Sequence, residues 1–402
     1  MTSAARRLAR STLCLLGGLS IGVAAATLHI PASANSKSPQ TSVSEEIYHR
    51  LFKKKRADET EQKRKRTNTS VMGIRGLDDD TDADLKAGAT ANMRAVYEME
   101  DRSADRSVID RLKVQLTANK ADTGVEQFPQ KIANPPATID ELEGEIELGR
   151  KMAAQILGAN STYNNHKVVN YLNGLAQVIS ESGLSSPRPF RIAVLNSEKV
   201  NAFACPGGYI FITKGALKST ANEAQLAALI GHEIVHISKR HLVSTLQKKI
   251  TKNATKNKNQ EKDDEYLKTR RRVKPDASRE TSPLAQILGP KGVGVTLLQA
   301  SSEALDTLLK GGLEREFELE ADTLGQQISA AGGYQARSLI ELLNTLKSAN
   351  QGAGNSLSST HPPYEVRINH LNEFLTRLGG FPAATASGSS LFGEMQREWQ
   401  QK

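Results

Sequence analysis

Cysteine is almost absent from this chain. Two cysteines in 402 residues can build neither a disulfide scaffold nor a cysteine-rich zinc or iron–sulfur centre. Aromatic residues are scarce as well, at 4% with a single tryptophan, as in a soluble globular protein with some loosely packed segments. Long hydrophobic runs are missing except for one at the N-terminus, which excludes a polytopic membrane protein. No internal repeat appears. What is present is enough for a real core: 38% of residues are hydrophobic, and the length allows two or three domains, or one large domain with tails. Lys and Arg outnumber Asp and Glu by 53 to 44, a formal net charge of +9. That excess suggests an anionic partner, nucleic acid or a membrane surface, if the charge is concentrated where a partner could meet it.

Residues 1–34 read as an address. Arg6, Arg7 and Arg10 make a positive start, Ser11 to Ile30 carry no charged residue, and Pro31 then Ala32-Ser33-Ala34 supply a small-x-small cleavage site. These are the three parts of a secretory signal peptide. An uncleaved membrane anchor, a mitochondrial transit peptide and a twin-Arg export signal are the alternatives. The uncharged run is barely long enough to span and holds Gly17, Gly18 and Gly22. Cleavage would remove Cys14 and leave Cys205 alone, so the exported chain would form no internal disulfide.

Residues 35–136 are polar, with basic runs at Lys53–Arg56 and Lys63–Arg66 and an acidic run at Asp78–Asp80. They read as largely disordered, with one short amphipathic helix marked by Ile109, Leu112 and Leu116. Pro135-Pro136 closes the region as a linker. A folded domain is expected over 137–380, followed by a tail at 381–402. Its first helix opens on the capping box Thr138–Glu141, and a second carries Val168, Leu172, Leu175 and Ile179 to Gly183. Strands are expected at Phe190–Leu195 and, after the Pro206-Gly207-Gly208 turn, at Tyr209–Thr213. A third helix opens on a capping box at Thr220–Glu223 and runs to about Leu242.

That third helix contains His232-Glu233-Ile234-Val235-His236. Histidines four apart lie about 40° apart around a helix, so both imidazoles can reach one metal ion from consecutive turns. Glu233 stands beside them, where a carboxylate can take a proton from a water that the metal activates. A solvated helix with His and Glu at salt-bridging spacing is the plainer alternative. The apolar residues around the motif argue instead for a buried helix, and a buried helix does not hold two histidines and a glutamate without partners. A catalytic zinc needs a third protein ligand and an open position. The segment Glu314–Asp322 is the best source of that ligand. Glu318 and Asp322 share a helix face, so that one could bind metal while the other orients a ligand histidine. Spacing alone does not choose among Glu314, Glu316, Glu318 and Glu320. His241, five residues past His236, is turned off the ligand face of a continuous helix and reads as structural. Cys205 reads as a small buried thiol.

Four ordered motifs over about residues 140–375 resemble one family. They are Asn201-Ala202-Phe203-Ala204 with Pro206-Gly207-Gly208, the His-Glu-x-x-His helix, Glu318-x-x-Ala321-Asp322, and Ser359-Thr360-His361-Pro362 with Arg367 shortly after. The chain resembles the gluzincin-type metallopeptidases related to HtpX and the CAAX prenyl endopeptidases, especially their soluble exported bacterial members. The resemblance implies an α+β fold: a mostly helical zincin-type domain with a small sheet edging the active-site cleft. It implies one zinc ion per chain, Glu318 as third ligand and Asp322 behind a ligand histidine. Val200–Ala204 resembles the family's active-site edge strand, to which an extended peptide could add; an ordinary buried turn is the alternative. His361 is a candidate fourth ligand or transition-state group, or else a surface histidine before proline. Arg367 could pair with a carboxylate or steady an oxyanion, or form a helix-start ion pair. The long basic stretch at about 248–280, and the lack of a membrane-helix bundle or repeat array, depart from the common pattern.

The expected function is therefore that of a zinc-dependent endopeptidase exported to the bacterial periplasm. Misfolded or damaged envelope proteins are the substrates that the resemblance implies. The rival readings are a zinc-binding holdase without proteolysis and an anionic-surface binder acting through the basic stretch, with association at a membrane surface. Nucleic acid is not expected, because only Tyr266 interrupts the basic stretch with a stacking ring. Residues 248–279 hold 12 Lys and Arg against 5 Asp and Glu, so the excess charge belongs to one insert and the peptidase domain itself is near neutral.

Overall fold

The computed structural model describes residues 80–119, 131–133, 139–185, 188–260, 297–349, 360–379 and 390–400. The expected leader, the capping residue Thr138 and most of the basic insert lie outside the described residues.

Three short strands form a sheet in the order β1-β3-β2: β1 Arg191–Leu195, β2 Ala202–Cys205 and β3 Tyr209–Thr213. β1 runs parallel to β3 and β2 antiparallel to it. The strands are rich in β-branched and aromatic residues, and their period-2 alternation sends side chains to two separate cores. Ile192, Val194, Ala202, Ala204, Ile210 and Ile212 face one core. Phe203, Cys205, Tyr209 and Phe211 face the other. Both faces are thus covered by helices, and β2 is one of the two edges of the sheet.

The helices are α1 Asp80–Asp101, α2 Arg106–Asn119, α3 Ile139–Ala159, α4 His166–Gly183, α5 Lys214–Ser219, α6 Glu223–Ser238, α7 His241–Gln260, α8 Leu297–Asp306, α9 Arg315–Ala331, α10 Ser338–Ala349, α11 Tyr364–Arg377 and α12 Ser390–Gln400. One turn of π-helix, Thr307–Gly311, continues α8. α4, α6, α9 and α10 contribute to the first core, and α1, α3, α7 and α8 to the second. No described helix is long and apolar enough to cross a membrane.

Three expectations are changed. The sequence of the polar region before 136 predicts one short helix. The described part holds α2 as expected, with Ile109, Leu112 and Leu116 buried, and also α1, which buries Val96 and Met99 beside α3. Only a narrow stripe of α1 is apolar, too little to stand out from its polar neighbours. The sequence predicts a tail over residues 381–402, yet their described part is a helix that buries Leu391, Phe392, Met395 and Trp399 in the first core. The helix expected to run on to Leu242 ends at Ser238; Arg240 adopts a left-handed φ of 61° and α7 starts afresh at His241.

Candidate metal centre

Helix α6 is buried along its whole length. The side chain of Asn222 caps it by accepting from the Gln225 amide at 2.9 Å, while Gln225 Oε1 accepts from the Ala221 amide at 2.9 Å. This reciprocal cap satisfies helix-end donors as the expected Thr220 box would have done, two residues further on. His232, Glu233 and His236 are 2%, 2% and 6% exposed. Placing three ionisable groups inside a protein requires compensation from elsewhere.

Helix α9 supplies it. The two helices cross at Gly231 and Gly325 with their backbones nearly touching: a Cβ on Gly231 would lie 2.6 Å from the Gly325 carbonyl oxygen, and one on Gly325 2.6 Å from the His232 nitrogen. Such an approach excludes any side chain at either point. It brings the buried Glu318 and Asp322 against the histidines. His232 Nε2 and His236 Nε2 are 3.0 Å apart, and Glu318 lies 3.7 Å from each of them, Oε2 facing His232 and Oε1 facing His236. These are the three residues whose ligand atoms gather within 4.8 Å of one another. Tetrahedral zinc with bonds of about 2.0–2.1 Å spaces its ligands by about 3.3 Å, so two imidazoles and one carboxylate at 3.0–3.7 Å fit that ion. Of the four glutamates that spacing left open, Glu318 alone joins the histidines: Glu320 pairs with Lys239 and His241, and Glu314 with Lys248.

Asp322 Oδ1 lies 2.9 Å from His232 Nδ1. Arg367, buried at the start of α11, donates to both Asp322 oxygens at 2.8 and 2.6 Å. Of the roles expected for Arg367, carboxylate pairing is thus the one its geometry has. Burial pushes Asp322 up, but the Arg367 guanidinium outweighs it and holds the carboxyl below its ordinary value. Burial also pulls His232 down, but Asp322 and Glu318 more than reverse it, to about 9. Burial, joined by the neighbouring His232, His241 and His361 and opposed by Glu318, drives His236 well below the ordinary imidazole value. His361 Nδ1 hydrogen-bonds Glu318 Oε2, and its ring centre is 5.7 Å from that of His232. His361 and His236 hold Glu318 ionised against the pull of burial. Burial raises Glu233 above the ordinary carboxylate value, which makes it a stronger proton acceptor. Cys205 is a free buried thiol pushed up by burial and then by Glu233, a spectator in the pocket wall.

Sequence reasoning missed what lies behind His236. His241 Nδ1 is 3.0 Å from His236 Nδ1, and His241 Nε2 is 3.2 Å from Glu320 Oε2. A continuous helix would have turned His241 away; the left-handed residue Arg240 swings it back. Only a prediction of that break would have found this contact.

The cavity over the site measures about 30 Å³, room for a water or two. Glu233, His236, Glu318 and His361 line it together with Phe203 and Leu313. The edge strand β2 forms one wall, so the strand expected near Val200–Ala204 is present, shifted to Ala202–Cys205.

A helix-borne pair of histidines joined by a glutamate from a second, crossing helix is the ligand set of the gluzincin class of zinc metallopeptidases, and this helical domain with its small sheet is of that class. Within it, the chain belongs to peptidase family M48, whose sequence profile matches residues 165–375, from the start of α4 to the end of α11. Curated relatives include the beta-barrel assembly-enhancing protease of Escherichia coli K12, 24% identical over 56% of this chain and 42% of that protein. The protein of the same name from Yersinia pestis is 22% identical over 63% of this chain and 48% of its own length. The mitochondrial metalloendopeptidase OMA1 of Saccharomyces cerevisiae is 26% identical over 44% of each chain. The chain thus spans less than half the length of these relatives.

Proposed function

We propose that this chain hydrolyses internal peptide bonds of unfolded or damaged cell-envelope proteins, with His232, His236 and Glu318 holding one zinc ion and Glu233 as general base. The observation that carries the reading is the buried His232–His236–Glu318 trio with Glu233 lining the same small cavity. Held by His232, His236 and Glu318, a zinc ion would supply polarisation of the scissile carbonyl and activation of a water near neutral pH. Glu233, its carboxylate raised by burial, takes the proton of the attacking water and returns it to the leaving amine. Asp322 fixes the His232 ring through Nδ1, which leaves Nε2 directed at the cation, and Arg367 keeps Asp322 ionised.

The substrate main chain has a place to lie. The Asn201 carbonyl accepts from the Thr213 amide, so in the antiparallel register Asn201, Phe203 and Cys205 turn their main-chain groups toward β3. Those of Ala202 and Ala204 then face outward along the cavity wall, where an extended peptide can pair with them. A second groove of about 430 Å³ shares Asn201 and Phe203 and extends the same wall toward Leu305 and Leu309. The signal-like pattern of residues 1–34 supports export to the periplasm.

The test is zinc stoichiometry together with chelator-sensitive cleavage of an unfolded protein such as casein, on wild type and Glu233→Gln in parallel. Wild type should bind one zinc and cleave; Glu233→Gln should bind zinc and lose at least ~10²-fold in rate. A well-folded wild type without zinc affinity, or full activity in Glu233→Gln, would refute the reading. The second outcome would leave the holdase alternative standing.

A further inference from the structure

Each of the two candidate ligand histidines shows its Nε2 to the cluster and its Nδ1 to something else. For His232 that partner is Asp322, one turn beyond Glu318 on α9. For His236 Nδ1 no carboxylate among the described residues is paired with it, and Glu320 lies about 200° around α9 from Glu318. His241 fills the gap. Its side chain is 2% exposed, with Nδ1 3.0 Å from His236 Nδ1 and Nε2 3.2 Å from Glu320 Oε2.

The protons on this chain can be assigned by elimination. A nitrogen that offers its lone pair to a cation carries no proton, so His236, bound through Nε2, carries its one proton on Nδ1. That N–H donates to His241 Nδ1, which must then be the bare nitrogen. The proton of His241 is left on Nε2, which donates to Glu320. One tautomer at each ring satisfies every contact, and the chain ends on an acceptor-only group. We infer that His241 is a positioning residue for the metal site: it holds His236 in the Nδ1–H tautomer and orientation that direct Nε2 at zinc, and is itself anchored by Glu320.

Packing supports a fixed rather than an incidental ring. His241 stacks on Phe317 at 4.5 Å between centroids and 6° between planes. Lys239 Nζ lies 3.5 Å from Glu320 Oε1, the oxygen that His241 does not use. Lys248 Nζ stands 4.9 Å from the Phe317 ring centre and pairs with Glu314 at 2.6 Å. The start of the basic insert is thereby committed to this corner of the domain. Helix α9 thus serves both histidines, by direct contact through Asp322 and by a one-ring relay from Glu320.

The inference rests on the metal-site reading above, and the experiment separates the two. Zinc affinity of the full chain is measured by competition with a chelator, and the ligand-field spectrum is recorded with cobalt in place of zinc. His241→Phe keeps the ring and its stack on Phe317 but removes both nitrogens; it should lower affinity about 10- to 100-fold and change the cobalt spectrum. His241→Asn returns an acceptor at the Nδ1 position and should recover most of that loss. Unchanged affinity and spectrum in His241→Phe would overturn the inference, as would His241→Asn binding as weakly as His241→Phe, which would make the effect one of packing. If His241→Phe does not fold, Glu320→Ala decides at a half-exposed position: a severalfold loss supports the relay and no loss overturns it. His236→Ala is the control. Should it bind zinc as tightly as wild type, the metal-site reading falls and the relay with it; should it lose zinc while the His241 and Glu320 variants do not, only the relay falls.

Discussion

Replacing Arg367 by methionine keeps most of the side-chain volume and removes the guanidinium that holds both oxygens of Asp322. The aspartate is fully buried, and its remaining charged contact is His232. Removing one partner of a buried ion pair leaves an uncompensated charge, which costs about 3–5 kcal/mol. The sign with pH is fixed by linkage. Asp322 is held below its ordinary value in the fold, so its contribution is present above the unfolded value of about 3.9 and is lost as pH falls through the lower folded one. In Arg367→Met that contribution is gone, so the stability gap between wild type and variant should be widest at neutral pH and narrow as pH is lowered toward and below about 4. Urea unfolding of the chelated proteins at a series of pH values measures it. The double variant Asp322→Asn with Arg367→Met has no buried unpaired carboxylate, and should be less destabilised than the sum of the single changes by about 1–3 kcal/mol. Zinc affinity of Arg367→Met should fall about 10- to 100-fold, because Asp322 no longer sits squarely behind His232. A gap under about 1 kcal/mol, or one that does not change with pH, would refute the account of Arg367 as the group that keeps Asp322 ionised.

Gly325→Ala should push α9 away from α6, since its Cβ would sit 2.6 Å from the His232 nitrogen; zinc affinity should fall more than tenfold, and an unchanged affinity would show that the crossing does not set the ligand spacing. Gly312 has φ of 68°, and a Cβ there would meet the Thr360 carbonyl oxygen at 2.2 Å; Gly312→Ala should cost about 1–3 kcal/mol in thermal unfolding and slow cleavage by displacing the His361 loop, with zinc content unchanged. Methylating, one at a time, the backbone amides of a peptide substrate near its cleaved bond should slow cleavage severalfold at the amides that pair with Ala202 and Ala204; equal cleavage of every methylated peptide would exclude strand addition at β2.

The arrangement of the candidate site was legible wherever it depended on spacing within one helix. His232, Glu233 and His236 could be read from a four-residue interval, and the pairing of Glu318 with Asp322 from another. The choice of Glu318 over Glu314, Glu316 and Glu320 could not, because it depends on how α9 crosses α6, and that depends on two glycines far apart in the chain touching in space. Strands β1 and β3 were legible from their β-branched and aromatic runs, and α4 from its amphipathic stripe. Helix α1 was hidden by its polarity and α12 by its distance from the family motifs. His241 was hidden by one residue: nothing in Lys239-Arg240 announces a left-handed backbone, since arginine adopts it only under tertiary constraint, here with its side chain 2.5 Å from Glu145.

The ligands of the proposed site come from α6 and α9, and everything between them, α7, the basic insert and α8, forms one long loop in the chain. A bound ion would tie the two ends of that loop together as a reversible cross-link, and the entropy it removes from the unfolded chain grows only with the logarithm of the loop length. Doubling the whole loop would add only about 0.6 kcal/mol to the cost of closing it, and doubling the insert alone adds less. The insert between α7 and α8 can therefore lengthen, shorten or change its charge at little cost in loop closure, provided that α7, α8 and the residues flanking Glu318 keep their places. A catalytic site stapled across such a loop can acquire new surface there without disturbing its own geometry.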